Sequence, residues 1–486
     1  MLHSSYNENR SPQMNILNDN QRSEIIQAAK SVLERTGCRV EHPEALALLK
    51  NNGAHVDGDR VRVSRHMVEQ AISQAPEGIL IYDREGNPAL DLSGTKTYYG
   101  TSTASPRTRD ALSGDIHPTR VEDIAIGAKV ADALSEIDWV MPFGSSQDVP
   151  SIVSDLYEFE AVVTNTTKPM AFCGYSARGV ELVFEMAAAV AGGKDKLMQK
   201  PFLISYPEPI SPLFYPEEVV DKMFLSAEWG IPQITSGAGQ TGATSPATLA
   251  GTLVQMVAEA MMSVLLIQLK KAGAPVFFAA NFGMFDMRQG LLSMASPEAS
   301  LMHGALAQIA RDFKLPSWGY AGATDSKCLD AQAGIESAFS ILAQGLSGIN
   351  LIHDVGYMDM GMLCSAEMLV MGNEVAGMAK QFMKGIEITP ETMACDVIDK
   401  VGPGGNYLQE PHTMKHFKGC WYPELFCRSS YGTWEAAGKK TMEDQCRAKV
   451  KKIIETHHPI ELDDSIRKMI LSIRKKGEKE MLDSEE

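Results

Sequence analysis

Aromatic side chains recur where short apolar stretches end between residues 97 and 381. The rings at these positions belong to Tyr98, Phe143, Tyr206, Phe282, Tyr320 and Tyr357. Aromatic faces are the preferred partners of a cation without N–H groups, such as a quaternary ammonium. Only 7% of the chain is Phe, Trp or Tyr, so this concentration is high. The rings are expected either to enclose a cationic ligand or simply to fill the interior of the fold.

Three polar residues in the same part of the chain could complete such a site. His353 ends the stretch Ile349–His353, where a ring nitrogen could donate a hydrogen bond to an anionic group. Asp325 and Lys327 lie in the loop Gly322–Asp330, where they could pair with each other or bind the polar end of a ligand. The alternatives are a buried core histidine and a surface loop that caps the next helix.

A metal site is a competing interpretation. His353, Asp354 and His303 could serve a metal-dependent hydrolase or lyase, but histidine and carboxylate ligands do not recur at successive strand ends. The eight cysteines include no C-x-x-C pair and are interpreted as reduced thiols. A further zinc set is weakly indicated by Cys420, Cys427, His412 and His416. The favoured interpretation has no metal.

The stretch Gly237-Ala-Gly-Gln-Thr-Gly242 matches the G-x-G-x-x-G pattern of dinucleotide-binding proteins. The next helix, however, starts late, at Ser245-Pro246, and no acidic residue stands out about 20 residues further on for a ribose. A flexible loop is therefore the favoured interpretation of this stretch.

The elements that position these residues form a repeat of strand, polar loop and amphipathic helix. The predicted strands are Thr97–Thr101, Trp139–Gly144, Met170–Tyr175, Phe202–Tyr206, Gln233–Ser236, Val276–Phe282, Ser317–Ala321 and Ile349–His353. Helices are predicted near 119–134, 152–166, 178–191, 216–229, 246–272, 297–313, 329–346 and 364–384. Alternating strands and helices indicate a parallel sheet. Eight units over this length predict an α/β fold, the (β/α)8 TIM barrel, which places its active site on the loops after the strands.

The barrel is predicted to span residues 96–386. Residues 1–18 are expected to be disordered, and residues 19–95 to form a small helical and β-stranded extension. Residues 387–486 are expected to be a helical C-terminal segment that contains a glycine-rich motif. The breaks Gly230 and Gly273 fall where helices should end.

Composition excludes several classes of partner. The net charge of −16 argues against nucleic acid and anionic membranes as partners. The polar N-terminus lacks the apolar run of a signal peptide, and the most apolar helix, Leu253–Leu269, is interrupted by polar residues. A cytoplasmic enzyme is expected, and acidic barrels of this size commonly form homo-oligomers.

Several motifs resemble those of the trimethylamine methyltransferase family, in the branch without pyrrolysine that includes glycine betaine methyltransferase. The motifs are Gly37-Cys-Arg-Val-Glu-His-Pro-Glu-Ala45, Tyr99-Gly-Thr-Ser-Thr103, Asp325-Ser-Lys-Cys-Leu-Asp-Ala-Gln-Ala-Gly334, His353 with Gly356, and Gly402-Pro-Gly-Gly-Asn-Tyr-Leu408 followed by His412-Thr and His416-Phe. The resemblance covers nearly the whole chain. This sequence contains only standard residues, and the position of pyrrolysine would correspond to the loop Gly322–Asp330 or its end.

The resemblance implies a (β/α)8 barrel that moves a methyl group from a methylated amine to the cobalt of a separate corrinoid protein, as in methanogenic or acetogenic one-carbon metabolism. The missing pyrrolysine points to a quaternary amine such as glycine betaine, proline betaine or carnitine. The six rings would hold the N-methyl groups, while His353, or else Lys327, would orient a carboxylate. The chain would bind no cofactor tightly, and the corrinoid partner would dock over the C-terminal ends of the strands. A non-catalytic betaine-binding protein is a third interpretation.

Overall fold

Residues 19–92 form an N-terminal unit of three helices and five strands in the computed structural model, which describes residues 11–483. Its elements are α1 (Asp19–Arg35), β1 (Cys38–Val40), α2 (Pro43–Asn51), β2 (His55–Asp57), β3 (Arg60–Arg62), α3 (Arg65–Gln74), β4 (Ile79–Tyr82) and β5 (Pro88–Leu92). The first helix begins with a capping box, in which Asn18 and Gln21 satisfy each other's backbone N–H groups.

The next part of the chain, from residue 98 to residue 383, alternates strands and helices. Its strands are β6 (Tyr98–Thr101), β7 (Arg107–Arg109), β8 (Ile116–Pro118), β9 (Met170–Phe172), β10 (Leu203–Ser205), β11 (Phe214–Tyr215), β12 (Ala238–Thr241), β13 (Phe278–Ala279), β14 (Asn281–Asp286), β15 (Leu291–Ser293), β16 (Ser317–Tyr320), β17 (Leu351–Val355), β18 (Tyr357–Met358) and β19 (Leu363–Ser365). Its helices are α4 (Val121–Ala133), α5 (Ser154–Val163), α6 (Ala177–Ala191), α7 (Lys194–Gln199), α8 (Glu217–Trp229), α9 (Leu249–Lys270), α10 (Pro297–Asp312), α11 (Ala331–Ser347) and α12 (Ala366–Met383).

Eight parallel strand positions close into a barrel, which confirms the predicted (β/α)8 fold. β9 pairs with β10, β13 with β16, β16 with β17, and β17 with β6. Single parallel bridges at Gly100–Trp139, Val140–Met170, Ser205–Gln233 and Gln233–Val276 complete the ring. The second and fifth barrel strands therefore pair with their neighbours only through single bridges, at Trp139 and Val140 and at Gln233.

The interior of the barrel is a packed core, closed at the N-terminal end of the strands. The antiparallel hairpin β4–β5 places Ile81 and Leu90 in one cluster with Trp139, Trp318 and Leu351 from the barrel strands. Such a core leaves no pore through the barrel. A ligand can therefore enter only at the opposite rim, where the strands end.

Two small sheets stand on that rim. β12 pairs with β14 and β14 with β15, while β18, β19, β7 and β8 form the second sheet. The predicted flexible loop Gly237–Gly242 contains β12, so it is held by parallel pairing to β14 instead of being free. This pairing fixes Ala238 and Gln240 beside Asn281 and Gly283.

Helices follow the barrel. They are α13 (Pro390–Met393), α14 (Cys395–Val401), α15 (Pro411–His416), α16 (Tyr431–Ala436), α17 (Met442–Thr456) and α18 (Asp464–Asp483). α17 packs on α4 and α12, and α18 packs on α5 and α6. The last two helices therefore belong to the outer layer of the barrel.

The predicted disorder of residues 1–18 is wrong for the part that the structure describes, and residues 1–10 lie outside it. The backbone N–H groups of Ile16 and Leu17 both donate to Gln308 Oε1, each at 2.8 Å. Met14 N donates to Leu346 O at 2.8 Å. The segment has no regular structure of its own, but it is docked on α10 and α11 by these bonds.

Helix α9 is the one helix within residues 11–483 that is long and apolar enough to cross a membrane by length and composition. Its most apolar window is 78% buried, and it packs against α1, α3 and α8. It is a core helix that joins the barrel to the N-terminal unit.

Candidate active site

A group of aromatic rings fills the upper barrel just below the rim. The imidazole of His353 stacks on the indole of Trp318, with 4.1 Å between ring centroids and 15° between planes. Tyr206 packs against Trp318 at 5.2 Å, and Tyr320 meets His353 edge-on at 6.0 Å. Because Trp318 and Tyr320 are two residues apart on one strand, both point into the barrel.

Hydrogen bonds fix the orientation of His353. Its Nδ1 lies 2.6 Å from Asp354 Oδ1, and its Nε2 lies 3.4 Å from Asn281 Oδ1. The other end of the Asn281 amide donates to the Tyr206 hydroxyl at 2.7 Å. Both ring nitrogens therefore lie near oxygen atoms, which fixes the orientation of the imidazole.

Asp354 has an unusual backbone conformation. Its φ is 78°, Gly356 follows with φ 111°, and the pairing of β17 with β6 shifts register between Ile352 and Val355. A non-glycine residue in this region is strained, and such strain clusters at functional sites. The result is that two consecutive side chains, His353 and Asp354, both face the ligand space.

A cavity of about 110 Å³ opens beside these two residues. We call it the rim cavity, and its lining residues are Ala238, Gln240, Asn281, Phe282, Gly283, Leu292, Met294, Tyr320, His353 and Asp354. This volume holds several waters or one compact organic group. Six of the lining residues belong to the small sheet on the rim, so β12, β14 and β15 roof the cavity.

Asp354 contributes an unsatisfied negative group to the rim cavity. Its side chain is 1% exposed, and Oδ2 has no hydrogen-bond partner. Burial raises the pKa of Asp354, whereas the neighbouring His353 acts in the opposite direction. An unpaired buried carboxylate oxygen is costly unless a ligand completes its surroundings. Beside Tyr320, which also lines the cavity, it favours a cation.

A second carboxylate stands across the barrel mouth. Glu208 follows Tyr206 by two residues; its side chain is accessible to solvent, although barrel atoms surround it. Cys173 Sγ lies 3.8 Å from its Oε2 and can donate to it. Burial raises the pKa of Glu208, and a hydrogen bond from Tyr206 opposes the shift. The mouth thus carries two carboxylates, Asp354 and Glu208, near a space suited to a cation.

The structure brings Tyr206, Phe282, Tyr320 and His353 together, but it places two of the six predicted rings elsewhere. The Tyr98 hydroxyl accepts a hydrogen bond from Asp91 N at 3.2 Å, so this ring points to the hairpin at the closed end. The Phe143 ring packs against Gly127 of α4 and against Gly356. Tyr98 is the first residue of its strand, and Phe143 faces the helix layer, so neither reaches the cavity.

Tyr357 lies on the rim sheet beside the cavity residues. It is buried, its hydroxyl accepts a hydrogen bond from the backbone of Thr103, and the charges of Asp354 and Glu208 act on it. Burial, together with these charges, raises the pKa of Tyr357. It borders the mouth without lining the rim cavity.

Asp325 ties two rim loops together. Its carboxylate accepts from Ser293 Oγ at 2.5 Å and from Met294 N at 3.1 Å. Since Met294 lines the rim cavity, Asp325 acts on the site by holding that residue in place. Lys327 points outward instead: its side chain is 62% exposed, and Nζ contacts Asp325 O and the Asp359 carboxylate.

Because Asp325 holds a cavity residue and Lys327 is exposed, substitutions of the two should change kcat/KM by different amounts. Lys327→Ala should leave kcat/KM within about threefold of the parent, because exposed ion pairs contribute little. Asp325→Ala should lower it by about tenfold, because the N–H of Met294 loses its buried partner. Steady-state kinetics of both variants tests this. A loss of kcat/KM in Lys327→Ala of more than about threefold would show that Lys327 contributes to the site.

Two buried carboxylates on α5 hold neighbouring rim loops. Glu158 Oε1 accepts from Ser146 N at 2.8 Å, and Asp155 accepts from Tyr175 N at 3.0 Å. Burial raises the pKa of Asp155 to about 7 and that of Glu158 to about 8. The loops after the second and third barrel strands are therefore anchored by groups that titrate near neutral pH.

The raised pKa values predict how stability depends on pH. A carboxyl that binds its proton more tightly when folded stabilises fully below its unfolded pKa of about 4 and loses that contribution as pH rises to its folded pKa. The free energy of unfolding should thus fall between about pH 5 and pH 8.

Glu158→Gln removes one of these titrations and keeps an oxygen for Ser146. Relative to the parent, its melting temperature should rise with pH, by about 3 °C or more between pH 5 and pH 9. The matched control is Glu160→Gln, on the same helix but partly exposed. If the melting temperatures of the parent and of Glu158→Gln changed with pH in parallel, the Glu158 carboxyl would not bind its proton more tightly in the folded state.

His303 does not join a metal set with His353 and Asp354. Its Nδ1 donates to Ala299 O at 2.9 Å, and its ring lies between Phe282 and Tyr320. Burial lowers the pKa of His303 to about 3, so the ring is neutral. Over residues 11–483 there is no group of three or more His, Cys, Asp or Glu side chains that could hold a metal ion, and this includes the C-terminal cysteines and histidines.

Sequence reasoning missed Trp318, Glu208 and Met294 as site residues. Trp318 and Glu208 each stand two positions from a predicted ring, Tyr320 and Tyr206, so strand alternation was a usable signal. Met294 had no such signal, because its position depends on the pairing of β14 with β15 and on Asp325.

Comparisons with known proteins agree with this architecture. The family model described as trimethylamine methyltransferase (MTTB) matches residues 2–481. Glycine betaine methyltransferase of Desulfitobacterium hafniense (strain Y51) is 34% identical over 94% of this chain and 95% of its own length. Trimethylamine methyltransferase MttB of D. hafniense (strain DSM 10664 / DCB-2) is 33% identical over 92% of this chain and 91% of its own length.

A solved relative shows the same fold. The crystal structure of the Methanosarcina barkeri monomethylamine methyltransferase MtmB superposes with a TM-score of 0.50 over 95% of this chain and 87% of that chain, at 13% identity. The family model covers nearly the whole sequence, and two relatives exceed 30% identity across more than nine tenths of it. This chain therefore belongs to the trimethylamine methyltransferase family.

Proposed function

We propose that this chain transfers a methyl group from a quaternary amine to the Co(I) of a corrinoid carried by a separate protein. Methyl transfer itself follows from the family. The substrate class rests on one observation above all: Asp354, whose buried Oδ2 has no hydrogen-bond partner, lines a cavity together with Tyr320 and Phe282. Glycine betaine, proline betaine and carnitine are the candidate substrates.

The sequence identities of the relatives to this chain do not decide which amine is its substrate. The relative named for glycine betaine and the relative named for trimethylamine are 34% and 33% identical to this chain. The choice therefore rests on chemistry. The chain is written in the twenty standard residues and carries no unusual electrophile at the barrel mouth. A quaternary nitrogen needs no covalent activation, because it already leaves as a neutral amine.

The rim cavity supports such a role through charge and shape. A permanently charged N-methyl head has no N–H to donate, so it is stabilised by π-faces and by nearby carboxylates. Asp354 supplies the nearest negative charge, and Glu208 adds a second at the mouth. Because a cavity of about 110 Å³ has room for only a few waters, these electrostatic interactions are stronger there than in bulk water.

His353 and Asn281 are suited to the other end of a betaine. The imidazole is held by stacking on Trp318 and by Asp354, so its ring nitrogens have a fixed direction. A substrate carboxylate that approaches Nε2 would replace the long 3.4 Å contact to Asn281. Fixing both ends orients one methyl group toward the open mouth.

When the partner is bound, its Co(I) supplies the nucleophile that takes the methyl group, and the amine departs with the electron pair of the broken C–N bond. The chain's own residues bind, orient and exclude water. Docking over the rim is supported by apolar side chains that are more than half exposed on the loops after the strands. They are Leu112, Ile116, Ile210, Met287, Leu291 and Met362.

The test is methyl transfer with a panel of N-methylated compounds. The chain is mixed with a corrinoid protein in the Co(I) state and each compound in turn, and the absorbance of the methylated corrinoid is followed. A quaternary amine should give the change together with one equivalent of its demethylated product. A response to trimethylamine and to none of the quaternary amines would overturn the proposed substrate class.

A further inference from the structure

The glycine-rich stretch Gly237–Gly242 forms one wall of the rim cavity. Side chains of its strand, β12, point alternately to two faces, as in any β-strand. Ala238 and Gln240 line the cavity, whereas the Thr241 hydroxyl accepts a hydrogen bond from Thr252 of α9 at 3.2 Å. Alternate residues of β12 therefore face the ligand space, and the residues between them face the helix layer.

The glycines of this stretch allow β12 to pack closely on α9. A Cβ atom on Gly239 would lie 2.5 Å from Met256 Sδ, and a Cβ atom on Gly237 would lie 2.6 Å from a carboxylate oxygen of Glu259. Both distances are shorter than a van der Waals contact, so a side chain at either position would push the strand away from the helix. The glycine pattern thus has a packing role, and Gln240 is the polar side chain that the strand presents to the cavity.

The backbone of Gln240 is fixed on both sides. Its N–H donates to Thr244 Oγ1 at 2.9 Å, and its carbonyl oxygen accepts from Ser245 N at 3.1 Å. Its neighbour across the sheet is Gly283, and the Leu292 side chain lies over that glycine, where a Cβ atom would overlap it. The Gln240 side chain therefore starts from a fixed backbone and lies beside an apolar neighbour that offers it no hydrogen bond.

The Gln240 amide differs from the other side chains that could donate hydrogen bonds into the cavity, because those already have partners. They are Asn281, Tyr320 and His353, which contact Tyr206, Phe282 O and Asp354 respectively. Within residues 11–483, no hydrogen bond or ion pair engages the partly buried Gln240 side chain. The described walls of the cavity thus offer a free amide donor on Gln240 and a free carboxylate oxygen, Asp354 Oδ2.

A free amide donor and a free carboxylate oxygen in one small cavity match the two ends of a zwitterion. The negative charge of Asp354 attracts an ammonium head, and the amide of Gln240 can donate to a carboxylate. A carboxylate has two oxygen atoms, so one can approach His353 Nε2 while the other accepts from Gln240. The amide carries no net charge, and it therefore binds the carboxylate without repelling the ammonium head, as a lysine or arginine would.

We propose that Gln240 selects quaternary amines that carry a carboxylate, by donating a hydrogen bond from Nε2 to that carboxylate. This inference rests on the proposed function, because it assigns the second end of the substrate in the same cavity. Gln240 determines specificity and takes no part in breaking the C–N bond. Its loss should therefore weaken the binding of a betaine and spare a quaternary amine without a carboxylate.

The experiment compares two ligands on the full-length chain by calorimetry. One is glycine betaine, and the other is ethyltrimethylammonium, which has the same head and a methyl group in place of the carboxylate. Gln240→Met keeps the length of the side chain and removes the amide. It should weaken binding of glycine betaine about tenfold, as expected for a partly exposed hydrogen bond to a charged group, and change binding of ethyltrimethylammonium by no more than about threefold.

Gln240→Glu should shift the preference further toward the ligand without a carboxylate. It places a negative charge where the carboxylate binds, so glycine betaine should bind about twentyfold more weakly, whereas ethyltrimethylammonium should bind at least as tightly as it does to the parent. The matched control is Gln289→Glu, which adds the same charge on the exposed turn between β14 and β15. It should change neither affinity by more than about threefold, because an exposed charge is screened.

The two ligands separate a failure of this inference from a failure of the proposed function. Unchanged binding of glycine betaine in Gln240→Met, or equal weakening of both ligands, would overturn the role of Gln240 and leave the proposed function standing. Equal effects of Gln240→Glu and Gln289→Glu would also overturn it, because they would assign the change to the charge of the rim and not to a contact. A parent chain that binds no quaternary amine would overturn the proposed function, and this inference with it.

Discussion

Replacing Asp354 by asparagine is expected to lower kcat/KM for methyl transfer from a quaternary amine by at least about a hundredfold. A carboxylate about 5 Å from a cation contributes about 3 kcal/mol at an effective dielectric constant of 20. The asparagine keeps an oxygen for His353 Nδ1, so the ring stays oriented. What the variant loses is the negative charge beside Phe282 and Tyr320.

The matched control is Asp359→Asn. Asp359 lies on the same rim, but its carboxylate is 30% exposed and pairs with Lys327. Its loss should change kcat/KM by no more than about threefold, as expected for an exposed pair. If Asp354→Asn and Asp359→Asn had equal kinetics, the Asp354 charge would not bind the substrate.

Removing the ring of Tyr320 is expected to have the second largest effect. Tyr320→Leu should lower kcat/KM by about thirtyfold, because a desolvated cation–π contact contributes about 2 kcal/mol. The loss should appear mainly with quaternary substrates, whose methyl groups need the ring face. Thermal melting is measured in parallel, since Tyr320 OH also donates to Phe282 O at 2.5 Å.

Tyr320→Phe separates the ring from its hydroxyl. The phenylalanine keeps the π-face and loses only the bond to Phe282 O, so its kcat/KM should stay within about threefold of the parent. A loss as large in Tyr320→Phe as in Tyr320→Leu would assign the effect to the hydrogen bond and not to the ring face.

Helix boundaries were predicted closely because they are set by local chemistry. Ser296-Pro297 begins α10, with Ser296 accepting from Ala299 N, as its type and position indicate. Gly230 ends α8 in the left-handed conformation. The start of α9 is the exception: Thr248 caps the helix three residues after Ser245, because Ser245 is engaged with Thr252 and with the rim strand β12.

The site was predicted only in part, because strand-end position does not determine the direction of a side chain. Phe282, Tyr320 and His353 line the cavity and Tyr206 contacts its residue Asn281, whereas Tyr98 starts its strand and points to the closing hairpin. That hairpin, β4–β5, gave no sequence signal strong enough to show which end of the barrel it would close. The register of the rim sheet, which brings in Met294, depends on long-range pairing.

One measurement tests the cation site most directly: binding of glycine betaine and of 3,3-dimethylbutanoate to the parent chain by calorimetry. The two compounds have nearly the same shape and the same carboxylate, and they differ in the positive charge of the head. The rings and Asp354 should make glycine betaine bind at least about a hundredfold more tightly. Equal affinity for the two compounds, or tighter binding of 3,3-dimethylbutanoate, would contradict the proposal that the rim cavity binds a cation.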